Sequence, residues 1–162
     1  MAVDMFIKID DIKGESPDAK HKDEIQVLSW SWGMSQSGTT HDGAGGGAGK
    51  VNVQDLTFTK YVDSSSPNLI KFCCNGKHFK TALLTIRKAG EHPLEYLKIT
   101  IKDIIVSAVT TGGSGGEDRL TENVTLNFGK FQVEYTPQKP DGSGAAAIPV
   151  TWNIASNAEA IG

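Results

Sequence analysis

The chain has 162 residues, and its 16 Lys and Arg against 19 Asp and Glu give a formal net charge of -3 at pH 7. A slightly acidic chain is a poor partner for nucleic acid or an anionic membrane, because both attract basic surfaces. No apolar run approaches the ~20 residues of a membrane-spanning helix, and the N-terminus lacks the regions of a secretory signal peptide. We expect one domain over residues 1–162, made in a reducing compartment, with Cys73 and Cys74 as reduced and packed thiols.

Apolar residues that alternate at period two predict seven strands along the chain. The predicted strands span residues 3–9, 23–36, 50–61, 80–88, 94–109, 121–136 and 149–154. A single short helix is predicted between the third and fourth strands. Ser66 is its expected N-cap, Pro67 takes the first helical position, and Asn75-Gly76 supplies a left-handed stop.

Four of these strands change the phase of their apolar residues partway along. The changes fall between Val27 and Leu28, between Val53 and Leu56, at Asp103 and at Gly129. Successive side chains on a strand point to opposite faces, so each change requires a bulge, a twist or a crossing between sheets. We predict an all-β fold, a bent-strand β-barrel of two sheets with one flanking helix, whose corner lies at Asp103 and Gly129.

No catalytic or metal-binding constellation is visible in the sequence. The four histidines fall in predicted turns or loops without metal-ligand spacing, and we expect them to be solvated; they are His21, His41, His78 and His92. The glycines from Gly112 to Gly116 lead into Glu117-Asp118-Arg119 and another strand, whereas a phosphate-binding loop ends in Lys-Ser/Thr and opens a helix. We predict no enzymatic activity, no cofactor and no metal. The charged triplet is expected to form a local salt-bridged turn or to reach a neighbouring molecule.

Small neutral polar residues occupy the opposite parity on three of the strands. They are Ser29, Ser31, Gly33 and Ser35, then Thr57 and Thr59, then Thr121, Asn123, Thr125 and Asn127. A solvent-facing strand usually carries Lys, Glu or Arg. Two interpretations remain open: an ordinary outer surface with β propensity, or a surface that meets another subunit or lines a wet cavity. The glycine-rich stretch 39–49 leaves a similar choice between a surface loop and a segment ordered by an adjacent protomer.

Four blocks of the sequence resemble the haemolysin-coregulated protein (Hcp) family of the bacterial type VI secretion system. The blocks are MAVDMFIKI at 1–9, WSWGMSQSG at 30–38, TIRKAG at 85–90 and GGSGGEDRLTENVTLNF at 112–128. The resemblance implies a β-barrel of two sheets with a flanking helix, similar to phage tail-tube proteins. It also implies homohexameric rings that stack into a tube and hold small secreted effectors in the lumen. Sheath and spike proteins are the other implied partners, and export from the bacterial cytoplasm occurs on firing, without a signal peptide.

The resemblance also suggests roles for individual residues. It implies that Ser31 and Ser114 lie at the lumen and contact effectors. It implies that the loop 38–50 contacts neighbouring subunits and rings. The candidates for subunit and ring contacts are His41, Asp42, Gly45, Gly46, Gly47, Lys50, Glu117, Asp118 and Arg119. The match weakens from residue 137 onward, which leaves the register of the last strand open. The alternative function is a monomeric β-barrel that binds a small ligand.

Overall fold

The computed structural model describes residues 2–38, 47 and 49–159, and these residues form eleven strands and one helix. The strands are β1 (Val3–Ile9), β2 (Ile25–Gln26), β3 (Ser29–Ser31), β4 (Met34–Ser35), β5 (Asn52–Val53), β6 (Leu56–Tyr61), β7 (His78–Lys88), β8 (Leu94–Thr111), β9 (Thr121–Asn127), β10 (Lys130–Tyr135) and β11 (Ile148–Asn153). Helix α1 spans Ser66–Asn75. The prediction of a mainly β protein with one helix is confirmed.

The strands form a nine-stranded and a two-stranded sheet. The larger sheet runs β2-β1-β7-β8-β9-β6-β3, with β10 paired to both β8 and β11, and β4 and β5 form the smaller one. The strands at the two ends of the larger sheet's main path, β2 and β3, are consecutive in the chain. The amide of Val27 donates to the carbonyl of Met5 at 2.9 Å, and the amide of Leu28 donates to the carbonyl of Thr59 at 2.8 Å. The prediction of two sheets with bent strands is confirmed. The strand pairing among the described residues does not form a closed barrel.

The predicted corner lies at β8, which changes its neighbour on one edge halfway along. Its first half pairs with β10 through residues 97–102, and its second half pairs with β9 through residues 105–111. Between the two halves, Asp103 adopts a left-handed φ of 57°. The amide of Gly129, in the break between β9 and β10, donates to the carbonyl of Lys102 at 3.0 Å. The two predicted phase changes therefore lie side by side, where the sheet divides.

Other predicted strands are interrupted because the chain changes partner within them. The predicted strand 23–36 becomes β2, β3 and β4, which pair with β1, β6 and β5 respectively. The predicted strand 50–61 becomes β5 and β6. A bulge between Val106 and Ala108 moves Ala108 to the same side as Thr125, so the predicted apolar row Ile104, Val106, Ala108 is wrong at its last member.

The core lies between the inner faces of the sheet and α1. Its most buried side chains include Ile7, Ile25, Leu56, Leu69, Leu84, Ile104, Val124 and Leu126. Helix α1 has its N-cap one residue before the predicted position, at Ser65. It ends as predicted at Gly76, which has a φ of 67° and donates its amide to the carbonyl of Phe72. Both cysteines are free, but only Cys73 is half-buried, and Cys74 is exposed rather than packed.

Candidate functional site

The outward sides of β3, β6, β9 and the second half of β8 together form one surface, called here the polar face. Cross-strand partners point to the same side of a sheet. One row across the four strands consists of Ser31, Thr57, Thr125 and Ala108, and the next consists of Ser29, Thr59, Asn123 and Thr110. None of these side chains is charged, and all are small. The rows predicted separately on three strands thus meet in a single surface.

Hydrogen bonds between side chains join the two central strands of the polar face. The hydroxyl oxygens of Thr57 and Thr125 lie 3.2 Å apart. The hydroxyl of Thr59 donates to Oδ1 of Asn123 at 2.6 Å. These contacts fix the rotamers of side chains that remain partly accessible, so the polar face presents ordered neutral donors and acceptors.

Charged side chains lie at the two ends of the polar face. At one end the carboxylate of Asp55 accepts hydrogen bonds from Nδ2 of Asn127 at 2.8 Å and from the hydroxyl of Ser107 at 3.1 Å. At the other end the guanidinium carbon of Arg119 lies 3.7 Å from the centroid of the Tyr61 ring. The central rows between them are neutral.

The two predicted lumen residues occupy different parts of the structure. Ser31 is exposed on β3, opposite Thr57 in the polar face. Ser114 lies in the exposed loop after β8, where its carbonyl accepts a hydrogen bond from the amide of Glu117 at 3.2 Å. Ser31 is thus part of the polar face, whereas Ser114 lies beyond the end of β8, at the edge of that surface.

The charged triplet after Gly116 does not form the predicted local salt bridge. Glu117, Asp118 and Arg119 are all exposed, and neither carboxylate forms an ion pair with any residue that the structure describes. The guanidinium of Arg119 stacks on Tyr61 instead. The remaining interpretation, a contact with a neighbouring molecule, stays a prediction.

The loop 38–50 contains six of the predicted subunit and ring contacts. His41, Asp42, Gly45 and Gly46 lie outside the described residues. Gly47 and Lys50 are described, and both are exposed. The flanking segments converge in the small sheet, where Met34 pairs with Val53. The role of this loop in subunit contacts therefore stays a prediction.

Beneath the polar face lies a group of three charged side chains and one hydroxyl that we call the buried cluster: Lys60, Asp63, Glu122 and Ser66. Lys60 on β6 and Glu122 on β9 are cross-strand partners, and both are almost completely buried. The ammonium of Lys60 contacts the carboxylate of Glu122, and it also lies 3.0 Å from the hydroxyl of Ser66 and 3.1 Å from a carboxyl oxygen of Asp63. This cluster joins the start of α1 to the sheet.

The buried cluster is not among the sites predicted from the sequence. The parity of the strands contained the signal, because Lys60 follows Leu56 and Phe58 on the inward side and Glu122 precedes Val124 and Leu126. Two opposite charges at inward positions of different strands indicate a buried ion pair wherever those strands pair, as β6 and β9 do.

A second group of charges, the loop cluster, holds the segment between β1 and β2 against the sheet; it consists of Asp18, His21, Arg87 and Glu95. Nε2 of His21 lies 2.6 Å from Glu95, and the guanidinium of Arg87 donates to both carboxyl oxygens of Asp18 at 2.6 and 3.1 Å. His21 is only 7% exposed. The prediction of a solvated turn histidine is therefore wrong for His21.

Further contacts extend the loop cluster and shift the pKa values of its carboxyl groups. His21 stacks on the ring of Phe6 with centroids 4.5 Å apart, and its Nδ1 lies 2.8 Å from Glu24. Hydrogen bonding to Arg87 holds the pKa of Asp18 well below its ordinary value. Burial raises the pKa of Glu95, but hydrogen bonds from His21 and Lys98 outweigh it and leave that pKa below its ordinary value. Both carboxyl groups are thus stabilised as anions.

The described residues contain no cluster of metal-ligating side chains, and their main groove is open to solvent. No group of three or more His, Cys, Asp and Glu side chains in that part of the chain is arranged to hold a metal ion. A wide groove of about 1260 Å³ lies along the segment 8–15 and is lined mainly by charged side chains. Across the same residues, α1 is too short and too polar to cross a membrane.

Comparison with known proteins gives one consistent family. The family model described as "Type VI secretion system effector, Hcp" matches residues 6–135. The protein hcp1 of Pseudomonas aeruginosa is 65% identical over 162 residues, which cover 99% of this chain and 100% of that protein.

Solved structures agree with this result. The crystal structure of Hcp1 from Salmonella typhimurium has 45% identity and a TM-score of 0.82, covering 99% of this chain and 100% of that one. A type VI secretion effector from Yersinia pestis has 40% identity and a TM-score of 0.77, covering 93% and 100%. The chain therefore belongs to the Hcp family of type VI secretion proteins.

Proposed function

We propose that this chain is the subunit of the inner tube of a type VI secretion system. In this proposal copies of the chain assemble as six-membered rings, the rings stack, and the polar face lines the lumen, where it receives small secreted effectors. The sheath and spike proteins are the partners outside and at the tip of the tube. The tube is made in the bacterial cytoplasm and leaves the cell on firing.

The observation that carries the lumen assignment is the absence of charge from the two central rows of the polar face. An outer sheet surface ordinarily mixes in Lys, Glu and Arg, which keep the protein soluble and prevent edge pairing. Small neutral side chains leave room for a passing polypeptide and offer hydrogen bonds without a fixed charge that would trap it. Such a surface suits a channel that must first hold its cargo and then release it.

The alternative function, a monomeric β-barrel that binds a small ligand, has less support. Ligand sites of that kind are concave and mostly apolar. The inner face of the sheet is filled by core side chains such as Phe58, Leu84 and Ile101. The large groove along segment 8–15 is lined mainly by charged side chains instead.

Two measurements test the proposal. Light scattering on the purified protein is expected to give a mass near six times the 17.3 kDa chain. Ser31→Gln is then expected to keep the rings but to release an effector that co-purifies with the wild-type protein, because a longer side chain narrows the lumen. Ser114→Gln is expected to act in the same direction and more weakly, since Ser114 lies at the edge of the polar face.

The matched control is Ser156→Gln, the same change at an exposed site away from the polar face. It should leave both the ring and the effector in place. Normal effector retention by the Ser31 and Ser114 variants would refute the lumen assignment. A wild-type protein that stays monomeric at high concentration would refute the tube subunit itself.

A further inference from the structure

The apolar inner face of the sheet continues beyond the part that the chain itself covers. Three cross-strand rows run from β8 through β10 to β11 on the same side of the sheet. The rows are Ile101–Phe131–Trp152, Ile99–Val133–Val150 and Leu97–Tyr135–Ile148. All nine side chains are apolar or aromatic. The core surface of β8 thus extends without interruption to the edge of the sheet.

Exposure rises along these rows toward β11. Ile99 is 2% exposed, Val133 is half-buried and Val150 is 55% exposed. In the outermost row Tyr135 is 47% and Ile148 61% exposed. By contrast, the first row is covered by Trp32, whose ring packs edge-on against Phe131 at 4.9 Å. The described chain covers one end of this surface and leaves the other end open.

The strand that carries this open end is itself an edge. Among the described strands β11 pairs only with β10. Its sequence, IPVTWN, has no charged residue. Natural proteins usually protect a free edge with lysines, a bulge or a covering segment, because an apolar edge recruits other chains. On β11 two such features are present: Pro149 lacks an amide donor, and the segment 158–159 folds back to bond with Asn153 and Thr151. Ile148 and Val150 remain exposed beside them.

We infer that the side chains of Val133, Tyr135, Ile148 and Val150, called here the edge patch, form the centre of the contact with the next copy of this chain. The exposed side chains present on the order of 300 Å² of mostly apolar surface, within the range of about 300–600 Å² for the largest apolar patch of a typical monomer, which is often functional. A stable interface buries about 800 Å² on each partner around an apolar centre. The edge patch therefore supplies such a centre, and flanking polar residues supply the rim.

This inference rests on the proposed ring, and it specifies the kind of contact. In a closed ring each subunit uses two different surfaces, so the edge patch of one copy meets another surface of the next copy rather than its own equivalent. The polar face lies on the outward sides of β3, β6, β9 and the second half of β8, whereas β10 pairs with the first half of β8 only. Subunit contact and cargo contact are thus assigned to separate side chains, and they can be disrupted separately.

The test is the double variant Ile148→Asp/Val150→Asp, compared with wild type by light scattering over a dilution series. Two charges at the centre of an apolar contact are expected to raise the concentration at which rings form at least about 100-fold. Both residues are exposed in the single chain, so circular dichroism should show an unchanged fold. Ile70→Asp, at a 42% exposed isoleucine on α1, is the control and should keep the rings.

Hydrogen exchange of the wild-type protein provides a second measurement that needs no variant. Amides of β11 are expected to be protected in assembled rings and to exchange faster on dilution to monomer. Rings that persist in the double variant, or β11 amides that exchange equally fast in rings and monomers, would overturn the inference and leave the tube proposal standing. Protection of the β11 amides only after another type VI protein is added would also overturn the inference and leave the tube proposal standing. A wild-type protein without rings would instead overturn the tube proposal.

Discussion

The buried cluster and the loop cluster both hold charged side chains against the sheet, but they differ in burial. Lys60 and Glu122 are shielded completely, and they depend on each other because no water can replace either partner. Arg87 in the loop cluster is shared between two carboxylates, Asp18 and Asp4, and Asp4 is close to half exposed. A buried ion pair contributes little net free energy to folding, but removing one of its partners is strongly destabilising. The two clusters should therefore respond differently to mutation and to pH.

The largest expected effect comes from breaking the buried pair on one side. Lys60→Met leaves the Glu122 carboxylate buried without its cation and should lower the free energy of unfolding by about 3–5 kcal/mol. Urea unfolding followed by tryptophan fluorescence measures this change. The double variant Lys60→Met/Glu122→Leu should recover most of the loss, because two apolar side chains can pack where the ion pair was. A loss below about 1 kcal/mol in the single variant would contradict the burial argument.

The loop cluster should make stability depend on pH in the acid range. The pKa values of Asp18 and Glu95 lie below their ordinary values of 3.8 and 4.5 in the folded protein. The unfolded chain therefore takes up protons first as the pH falls. The contribution is full above about pH 5 and is lost as the pH falls through 4.5 and 3.8 toward the lower folded pKa values. Unfolding in urea at pH 7, 5, 4 and 3 should show this decline.

The variant Arg87→Met tests how much of the loss of stability at acid pH comes from the loop cluster. It removes the hydrogen-bond donor that lowers the pKa of Asp18, so the loss of stability between pH 4 and pH 3 should become shallower. Ser156→Gln, an uncharged change at an exposed site, should keep the wild-type slope over that interval. An unchanged slope in the Arg87 variant would mean that the acid response does not arise from the Asp18–Arg87 pair.

The smallest expected effect is at the exposed rim of the loop cluster. The ammonium of Lys98 lies 3.3 Å from Glu95, and both side chains are more than a quarter exposed. Solvent screens such a pair, so Lys98→Met should change the free energy of unfolding by less than about 0.5 kcal/mol. Urea unfolding at pH 7 and low salt measures it. A change above about 1.5 kcal/mol would show that the cluster acts as a single network rather than as separate pairs.

Local patterns in the sequence were sufficient for the fold class and for the corner at β8. The phase change at Asp103 and the one at Gly129 each follow from period-two alternation, and the structure places these residues beside each other. The stop of α1 at Gly76 is likewise a local signal, because glycine adopts a positive φ without strain. These features depend on neighbouring residues only, and that is why a single sequence contains them.

Features that depend on distant partners could not be predicted in the same way. His21 looked like a turn histidine because its carboxylate partner Glu95 lies 74 residues away. The predicted strand 23–36 divides because successive pieces pair with three different strands. The polar face could be predicted in part. Its residue types were visible on each strand, but only the register places Ser31 beside Thr57 and Thr57 beside Thr125.

The partner change along β8 also limits how the length of this protein can vary during evolution. Its 18 residues fix the registers of β7, β9 and β10 together. One residue inserted or deleted within β8 would turn the side chains of a whole half-strand to the opposite face, against several neighbours at once. The loop of residues 112–116 has no such constraint at Gly112, Gly115 and Gly116, because an added Cβ would meet nothing within 4 Å. Changes in length should therefore accumulate in that loop while β8 keeps its length.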